Sequence, residues 1–422
     1  MDSPRIRHRP HRAVLLRRWA VIISTVVALG VISWVVVGDN HSHTNVGGQR
    51  RPKPGAAAPP TSVPCAPVTG QLTGMPPVLD PCNIYSADAP GALTGPAKKA
   101  EALVYVPNGL SNTVSEIDPT TDKVIRTFKV GALPQHVVPS WDLSTLWVTN
   151  DEGNSLTPID PTTGLPGPSV PVEDPYNMYF TPDGRYAIVV AEALDRLDFR
   201  DARTMALVHS LPVDCPGIDH MDFSADGTYL IASCEFAGEL LKVNVATQAV
   251  VGRLSLGSNR DQPQDVKVSP DGKVFYVADQ VAGGVWEVDG ATFTETGFLA
   301  TGAGAHGLYP SRDARDLYVS NRHAGSISVV DFSTRNVVAT WQLPAEPAAH
   351  LGAPLHASPD MGGVSEDGKV LWLSGRYNSD VYAIDTTTGK LIARIPVGNG
   401  PHGVCVWPQP GRYSLGHTGI LR

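Results

Sequence analysis

One pattern recurs seven times along this 422-residue chain, from Glu101 onward. In each copy an aromatic or apolar pair and a polar turn precede a five-residue stretch that begins with Val, Leu or Ile and ends in Asp or Asn, and an apolar strand that ends near Gly follows. The polar residue that closes the third predicted strand marks the register of each copy: Asp118, Asp160, Asp201, Asn244, Asp289, Asp331 and Asp385. These residues are 42, 41, 43, 45, 42 and 54 positions apart. That period is typical of one four-stranded blade of a propeller, and the longer last interval indicates an insertion before the last copy.

Each copy divides into four runs rich in Val, Ile, Tyr, Trp and Leu, residues that favour strands. Four copies join the first run to the second through a turn that ends in Asp-Gly: "TPDG", "SADG", "SPDG" and "SEDG", which start at Thr181, Ser224, Ser269 and Ser365. Asp-Gly between two apolar runs indicates a hairpin, because Gly accepts a positive φ. One such sheet cannot bury both of its faces, whereas sheets packed radially around an axis can. The predicted fold class is all-β, a seven-bladed β-propeller over residues 101–411 with a C-terminal tail at 412–422.

The two ends of the repeated region complement each other. The first copy begins at Leu103 with its second strand, and the chain ends with an additional first strand, "HGVCVW", His402–Trp407. We therefore expect the C-terminal strand to complete the N-terminal blade, one strand plus three. This closure leaves no free sheet edge.

Two second strands carry a recognisable signature, "WVTN" at Trp147–Asn150 and "YVSN" at Tyr318–Asn321, with V-x-x-x-D and T-x-x-V patterns after them. With these residues the chain resembles the YVTN-repeat β-propellers over roughly residues 101–411. The resemblance implies the architecture. Such propellers include surface proteins, enzyme subunits and proteins of unknown role, so it does not assign an activity.

The N-terminal region resembles a membrane anchor. Six arginines between Arg5 and Arg18 precede an uncharged run of 19 residues, Trp19–Val37. As a helix this run would span about 28 Å, close to the ~30 Å hydrocarbon core of a bilayer. We predict a basic cytoplasmic tail at 1–18, one transmembrane helix at 19–37, a Pro/Gly/Ala-rich linker at 38–100, and a propeller on the extracytoplasmic side of the cell membrane. A cleaved signal peptide is the competing interpretation, but the run is long for one and no A-x-A-like site follows it.

The net charge limits the classes of binding partner, and the cysteines bear on the cellular compartment. The net charge of −8 argues against nucleic acid as a partner. In an oxidising compartment Cys65 can pair with Cys82, and Cys215 with Cys234, because the latter two flank the first and second strands of one blade. Cys405 alternates inward in the last strand and is expected to be a buried thiol.

The first strand of every blade lines the central channel, so the residues that lead into it surround one channel mouth. Counting back from the hairpin turns places seven equivalent pairs there: Gln135-His136, Tyr176-Asn177, Asp219-His220, Gln264-Asp265, His306-Gly307, Asp360-Met361 and His402-Gly403. Four of the seven blades therefore contribute an imidazole. We expect these residues to converge at similar height.

Imidazoles and carboxylates around one axis are ligands that suit Zn, Cu, Fe or Ni. The predicted metal ligands are His136, His220, Asp265, His306, Asp360 and His402. The d-type-haem propeller of bacterial nitrite reductase is similar in architecture, and that resemblance implies a second option, a haem-type cofactor held by His136, His220, His306 or His402. Each histidine alone is equally well explained as a turn residue that satisfies backbone groups and binds water.

Further polar residues are predicted on the same rim. The insertion at 345–363 contains His350 and His356, Arg322 and Arg376 follow second strands, and Asn177 belongs to one of the seven pairs. We expect the mouth to act as a binding module for a protein, a glycan or a small ligand. The alternative is an oxidoreductase or lyase that uses a metal or haem-type cofactor there. No G-x-S-x-G, G-x-x-x-x-G-K-[ST] or H-E-x-x-H motif occurs in the sequence.

Overall fold

The computed structural model describes residues 65–345, 356–417 and 419–422, and in these ranges the chain is a seven-bladed β-propeller. Within them no helix is both long and apolar enough to cross a membrane. The predicted anchor Trp19–Val37 and the predicted linker up to residue 64 lie outside the described residues.

The two inner strands of each blade form the wall of the channel and the layer behind it. The innermost strands, in chain order of the blades, are β29 (Cys405–Trp407), β4 (Pro134–Pro139), β9 (Asn177–Phe180), β13 (Ile218–Phe223), β17 (Pro263–Val268), β21 (Ala305–Pro310) and β25 (Pro359–Val364). The second strands are β1 (Leu103–Asn108), β5 (Leu146–Asn150), β10 (Tyr186–Ala191), β14 (Tyr229–Cys234), β18 (Val274–Asp279), β22 (Asp316–Asn321) and β26 (Val370–Gly375).

The two outer strands complete each sheet. The third strands are β2 (Thr113–Asp118), β6 (Ser155–Asp160), β11 (Arg196–Asp201), β15 (Glu239–Asn244), β19 (Gly284–Asp289), β23 (Ser326–Asp331) and β27 (Asp380–Asp385). Each ends at the polar residue used above to set the register. The outermost strands are β3 (Lys123–Lys129), β7 (Leu165–Pro166) with β8 (Val170–Pro171), β12 (Leu207–Pro212), β16 (Ala249–Ser255), β20 (Thr294–Ala300), β24 (Asn336–Gln342) and β28 (Leu391–Pro396).

The hydrophobic core lies between neighbouring blades. Inner strands are buried along nearly their whole length, whereas outermost strands such as β24 alternate between exposed and half-buried residues. One cluster joins Phe275 and Val277 of one blade to Ile231 of the preceding blade. This burial on both faces explains the continuous apolar runs of the second strands.

The predicted ring closure is confirmed. Strand β29 pairs antiparallel with β1, with Leu103 opposite Trp407 and Tyr105 opposite Cys405. Both predicted disulfides are present, Cys65–Cys82 and Cys215–Cys234, and Cys405 is a buried free thiol.

Residues 65–100 differ from the predicted extended linker, because they pack on the propeller. Two short 3-10 turns form at Ser86–Asp88 and Gly95–Lys99. Ile84 and Tyr85 are buried, and the Tyr85 hydroxyl donates a hydrogen bond of 2.6 Å to the Val268 carbonyl oxygen. These apolar side chains, in a segment otherwise rich in Pro and Gly, explain why it adheres to the face that carries the Asp-Gly turns.

The C-terminal tail folds into the channel, which the sequence analysis did not predict. Strands β30 (Ser414–Gly416) and β31 (Ile420–Leu421) form a hairpin, and β30 pairs with the innermost strand β9, so this sheet has six strands. Arg422 is 2% exposed. Its guanidinium donates to Asp222 Oδ1 at 3.1 Å and to the carbonyl oxygens of Phe223 and Ser224. The hairpin thus enters from the face of the Asp-Gly turns.

We expect Arg422→Ala to lower the free energy of unfolding by about 3 kcal/mol, because removing one partner leaves the Asp222 carboxylate buried without its counter-charge. Chemical denaturation of both proteins measures the difference. Arg203→Ala, which removes an exposed arginine of a neighbouring blade, is the control and should change stability by less than about 0.5 kcal/mol. Equal effects of the two substitutions would contradict the role given to Arg422.

Candidate metal centre in the central channel

The inner strands are irregular at the positions where the sequence analysis placed polar pairs. The register between first and second strands shifts between Pro134 and His136, and between Ile218 and Met221. The same shift occurs at Ala305–Leu308 and at Pro359–Gly362. A β-bulge of this kind re-aims side chains, and here it turns two consecutive residues toward the axis.

A hydroxyl group of the second strand stabilises each of these bulges. The amide of His136 donates to Thr149 Oγ1 at 3.0 Å, and that of His220 donates to Ser233 Oγ at 3.1 Å. The equivalent bonds join Gly307 to Ser320 and Met361 to Ser374. Thr149 and Ser320 are the third residues of "WVTN" and "YVSN", so the signature residue satisfies a backbone group that the bulge would otherwise leave unpaired.

The channel residues form two layers rather than the single ring that we expected. The first residues of the pairs lie nearer the mouth: Gln135, Tyr176, Asp219, Gln264, His306, Asp360 and His402. The second residues lie one position deeper: His136, Asn177, His220, Asp265, Gly307, Met361 and Gly403. The four predicted imidazoles still meet, with ring centroids 5.5 Å apart for His136–His220, 6.1 Å for His220–His306, 6.0 Å for His306–His402 and 4.8 Å for His136–His402.

The deeper layer contains a cluster of three histidines, His136, His220 and His417, and each offers one nitrogen within 4.8 Å of the other two. All three are at most 1% exposed, and their Nε2 atoms make no hydrogen bond. Asp219 Oδ1 lies 3.2 Å from His220 Nε2, and Asp265 Oδ1 lies 3.7 Å from His417 Nε2. Among the described residues His136 Nε2 has no such carboxylate neighbour, and a buried nitrogen without a hydrogen bond is costly unless an ion or water joins it.

The opposite edges of these rings are held by the protein. His136 Nδ1 donates to the Tyr176 carbonyl oxygen at 3.0 Å, so the lone pair of this ring is on Nε2. The Asn177 amide lies 3.1 Å from His220 Nδ1 and 3.2 Å from His417 Nδ1. One buried amide group therefore contacts both rings. Metal binding through Nε2 places a proton on each Nδ1, so it requires the amide to turn its oxygen toward these two atoms, as the outer-shell partners of metal-bound histidines do.

His417 is not among the predicted ligands. It sits at the tip of the C-terminal hairpin with a φ of 55°, and its amide donates to the Met178 carbonyl oxygen at 2.9 Å. Its ring centroid is 4.7 Å from that of His220. The available signal was the pair of glycines in "GHTG", between Leu415 and the apolar pair Ile420-Leu421, because glycines between apolar residues indicate a hairpin.

The His136 ring occupies space that a side chain at Gly403 of the neighbouring blade would fill. A Cβ atom at Gly403 would lie 2.1 Å from His136 Cδ2, so only glycine fits opposite this ring.

Burial sets the protonation of these side chains. It lowers the pKa of His136, His220, His306, His402 and His417 well below the usual value. The neutral imidazole is the form that binds metal ions.

The layer nearer the mouth contains a second group, His306, Asp360 and His402. Asp360 Oδ1 lies 3.2 Å from His306 Nδ1, and its Oδ2 lies 3.5 Å from His402 Nε2. Two guanidinium groups approach the same carboxylate, with Arg322 Nε at 3.0 Å and Arg376 Nε at 4.0 Å. Burial raises the pKa of Asp360, whereas the two arginines oppose that shift.

The remaining predicted residues have separate positions. Asp265 accepts the amides of Val266 and Leu308, so its oxygens mainly join two blades. His356 is half-buried, and its carbonyl oxygen accepts from Asn378. His350 lies outside the described residues.

The haem-type cofactor stays a prediction. Two of its candidate axial ligands, His306 and His402, are each 2% exposed, and both contact Asp360.

Three solved structures are similar to this chain in fold. A functionally unknown protein from Desulfotomaculum acetoxidans has a TM-score of 0.60 at 16% identity, with 73% of this chain and 99% of that chain covered. Hydrazine synthase of Kuenenia stuttgartiensis has a TM-score of 0.55 at 18% identity, with 68% and 93% covered. The dihydro-heme d1 dehydrogenase NirN, solved in complex with DHE, has a TM-score of 0.54 at 16% identity, with 75% and 77% covered. At these identities the likeness concerns the fold alone.

Sequence comparison identifies the family of the chain more specifically than the structural comparison does. The uncharacterized protein YncE of Salmonella typhi is 28% identical over 145 residues, which are 34% of this chain and 37% of that curated relative. The family model described as YNCE-like beta-propeller matches residues 70–411. The repeat, the ring closure and this match together show that the chain belongs to the YncE-like β-propeller family.

Proposed function

We propose that this protein is an extracytoplasmic metal-binding propeller that holds one transition-metal ion among His136, His220 and His417. The observation that carries the proposal is the convergence of three buried imidazoles, each of which offers one nitrogen within 4.8 Å of the other two. Nitrogen ligands of this kind suit Zn, Cu, Fe and Ni. In a tetrahedral site with metal–nitrogen bonds of about 2.1 Å the nitrogens are about 3.4 Å apart, so small ring rotations suffice.

The second group, around Asp360, has a different role in this proposal. A cation there would face the guanidinium groups of Arg322 and Arg376, which already supply positive charge to the carboxylate. We infer that Asp360, Arg322 and Arg376 form a polar layer of the channel between the mouth and the ion. A buried carboxylate is retained when it is paired in this way.

We further propose that Trp19–Val37 anchors the protein in the cell membrane with the propeller outside. Two disulfides support an oxidising compartment. Any protein, glycan or other ligand at the mouth would meet the rim rather than the histidine cluster, because Arg376 is 24% exposed whereas His136 and His220 are fully buried. The net charge of −8 supports partners other than nucleic acid.

The test is metal content and metal titration. We expect natively exported protein to contain about one equivalent of a transition metal, since a three-histidine site binds one ion. Protein stripped with a chelator should rebind Co²⁺ with the visible d–d absorption of a low-coordinate site. The double variant His220→Ala/His417→Ala should bind neither Co²⁺ nor Zn²⁺ measurably.

His209→Ala is the matched control, because His209 lies exposed on the outermost strand β12. It should bind both ions like the unchanged protein. Rebinding of Co²⁺ by the double variant, or failure of the correctly folded, unchanged protein to bind any of Zn²⁺, Co²⁺, Cu²⁺ and Ni²⁺, would refute the proposal.

The Asn177 amide provides a second test of the same site. Asn177→Ala should weaken Zn²⁺ affinity about 10–100-fold, because two ligand rings lose the group that orients them. Competition with a chromophoric chelator measures the affinity. Substitution of Asn150, an equally buried asparagine that bonds Ser155 and Thr157 away from the cluster, should leave it unchanged. A loss of affinity in both variants would indicate a general folding defect instead.

A further inference from the structure

A cavity of about 40 Å³ lies below the histidine cluster, and its lining includes Lys267, Tyr309, Arg312 and His417. It is bordered by the N-terminal segment at Tyr85 and Asp88 and by the C-terminal hairpin. At 10–15 Å³ for each water, the space holds about three water molecules or one small ion. None of the residues that form the cavity wall was predicted to belong to a site.

The charged group that stands out in this cavity is Lys267. Its side chain is on the innermost strand β17, is only 4% exposed and lines the cavity, and none of the ion pairs found among the described residues includes its ammonium group. The carboxylate two residues earlier, Asp265, uses its oxygens to accept the amides of Val266 and Leu308. A buried ammonium group is costly unless an anion or water compensates it.

The other charges on the wall do not neutralise Lys267. Arg312 is a second cation, and it donates only to the carbonyl oxygens of Val364 and Ser365. Asp88 is the acidic residue of the wall, and burial raises its pKa well above the usual value, which favours the uncharged acid. Lys267 and His417 line the same cavity. The described wall is therefore net positive.

From this arrangement we propose that the cavity binds one small oxyanion of the size of formate, nitrite or bicarbonate, with Lys267 as its main charge partner. The anion lies beside His417, on the side of the histidine cluster that faces away from the mouth. The volume excludes larger carboxylates. The site does not require the proposed metal ion, so the two proposals can fail separately.

The first experiment titrates formate into chelator-treated, metal-free protein by calorimetry. The unchanged protein should bind one equivalent, and Lys267→Met should bind at least about tenfold more weakly, because the main counter-charge is lost. Lys273→Met, which removes an exposed lysine of the same blade that pairs with Asp271, is the control and should bind like the unchanged protein. Equal formate affinity in all three proteins would overturn the proposal.

Two further measurements keep the test independent of the folding of the methionine variant. Lys267→Arg keeps the charge and should retain formate binding within about threefold. Crystals of the unchanged protein soaked in bromide should show an anomalous peak beside Lys267 Nζ. A bromide peak elsewhere, with none at Lys267, or formate binding abolished in Lys267→Arg, would contradict the site. Metal binding without formate binding would leave the proposed function standing and remove only this inference.

Discussion

The pairing of Cys405–Trp407 with Leu103–Asn108 is the interaction on which the rest of the structure depends. It closes the ring by using a strand from each end of the repeated region, so separating these two strands opens the ring. It also places His402 and Gly403 beside His136, where glycine leaves the space that the imidazole occupies. Because strand β29 lines the channel, the residues that follow it start at the channel wall, and the C-terminal hairpin β30–β31 folds into the channel.

Within the closed ring, the bulges of the inner strands decide what the channel contains. A regular strand would turn only every second residue toward the axis. Because the strands bulge, two consecutive residues point inward, and the hydroxyl groups of Thr149, Ser233, Ser320 and Ser374 stabilise this geometry. The two layers give the imidazoles different neighbours. His136 and His220 contact His417 of the C-terminal hairpin, whereas His306 and His402 contact Asp360, which is also bound by the arginines.

The channel is polar and buried, and its charges are arranged by depth. Near the mouth, Arg322 and Arg376 face one carboxylate, Asp360. In the middle lie neutral imidazoles, whose pKa values burial lowers. Below them Lys267 carries a charge with no ion-pair partner among the described residues. These successive environments along the channel suit two ligands of opposite charge: a cation among the imidazole nitrogens and an anion beside the ammonium group.

The sequence by itself determined the blade count, the strand order, the closure, the Cys215–Cys234 disulfide and the convergence of four histidines, because each follows from the period of a repeat and the alternation within a strand. The Cys65–Cys82 disulfide lies before the repeats and was predicted from the oxidising compartment alone. Three features depended on tertiary structure. The bulges divided the expected ring into two layers, the apolar side chains of residues 65–100 bound that segment to the propeller, and the C-terminal hairpin carried His417 between His136 and His220. No periodic signal encodes these contacts, since each joins residues that are distant in sequence and meet only after the ring has closed.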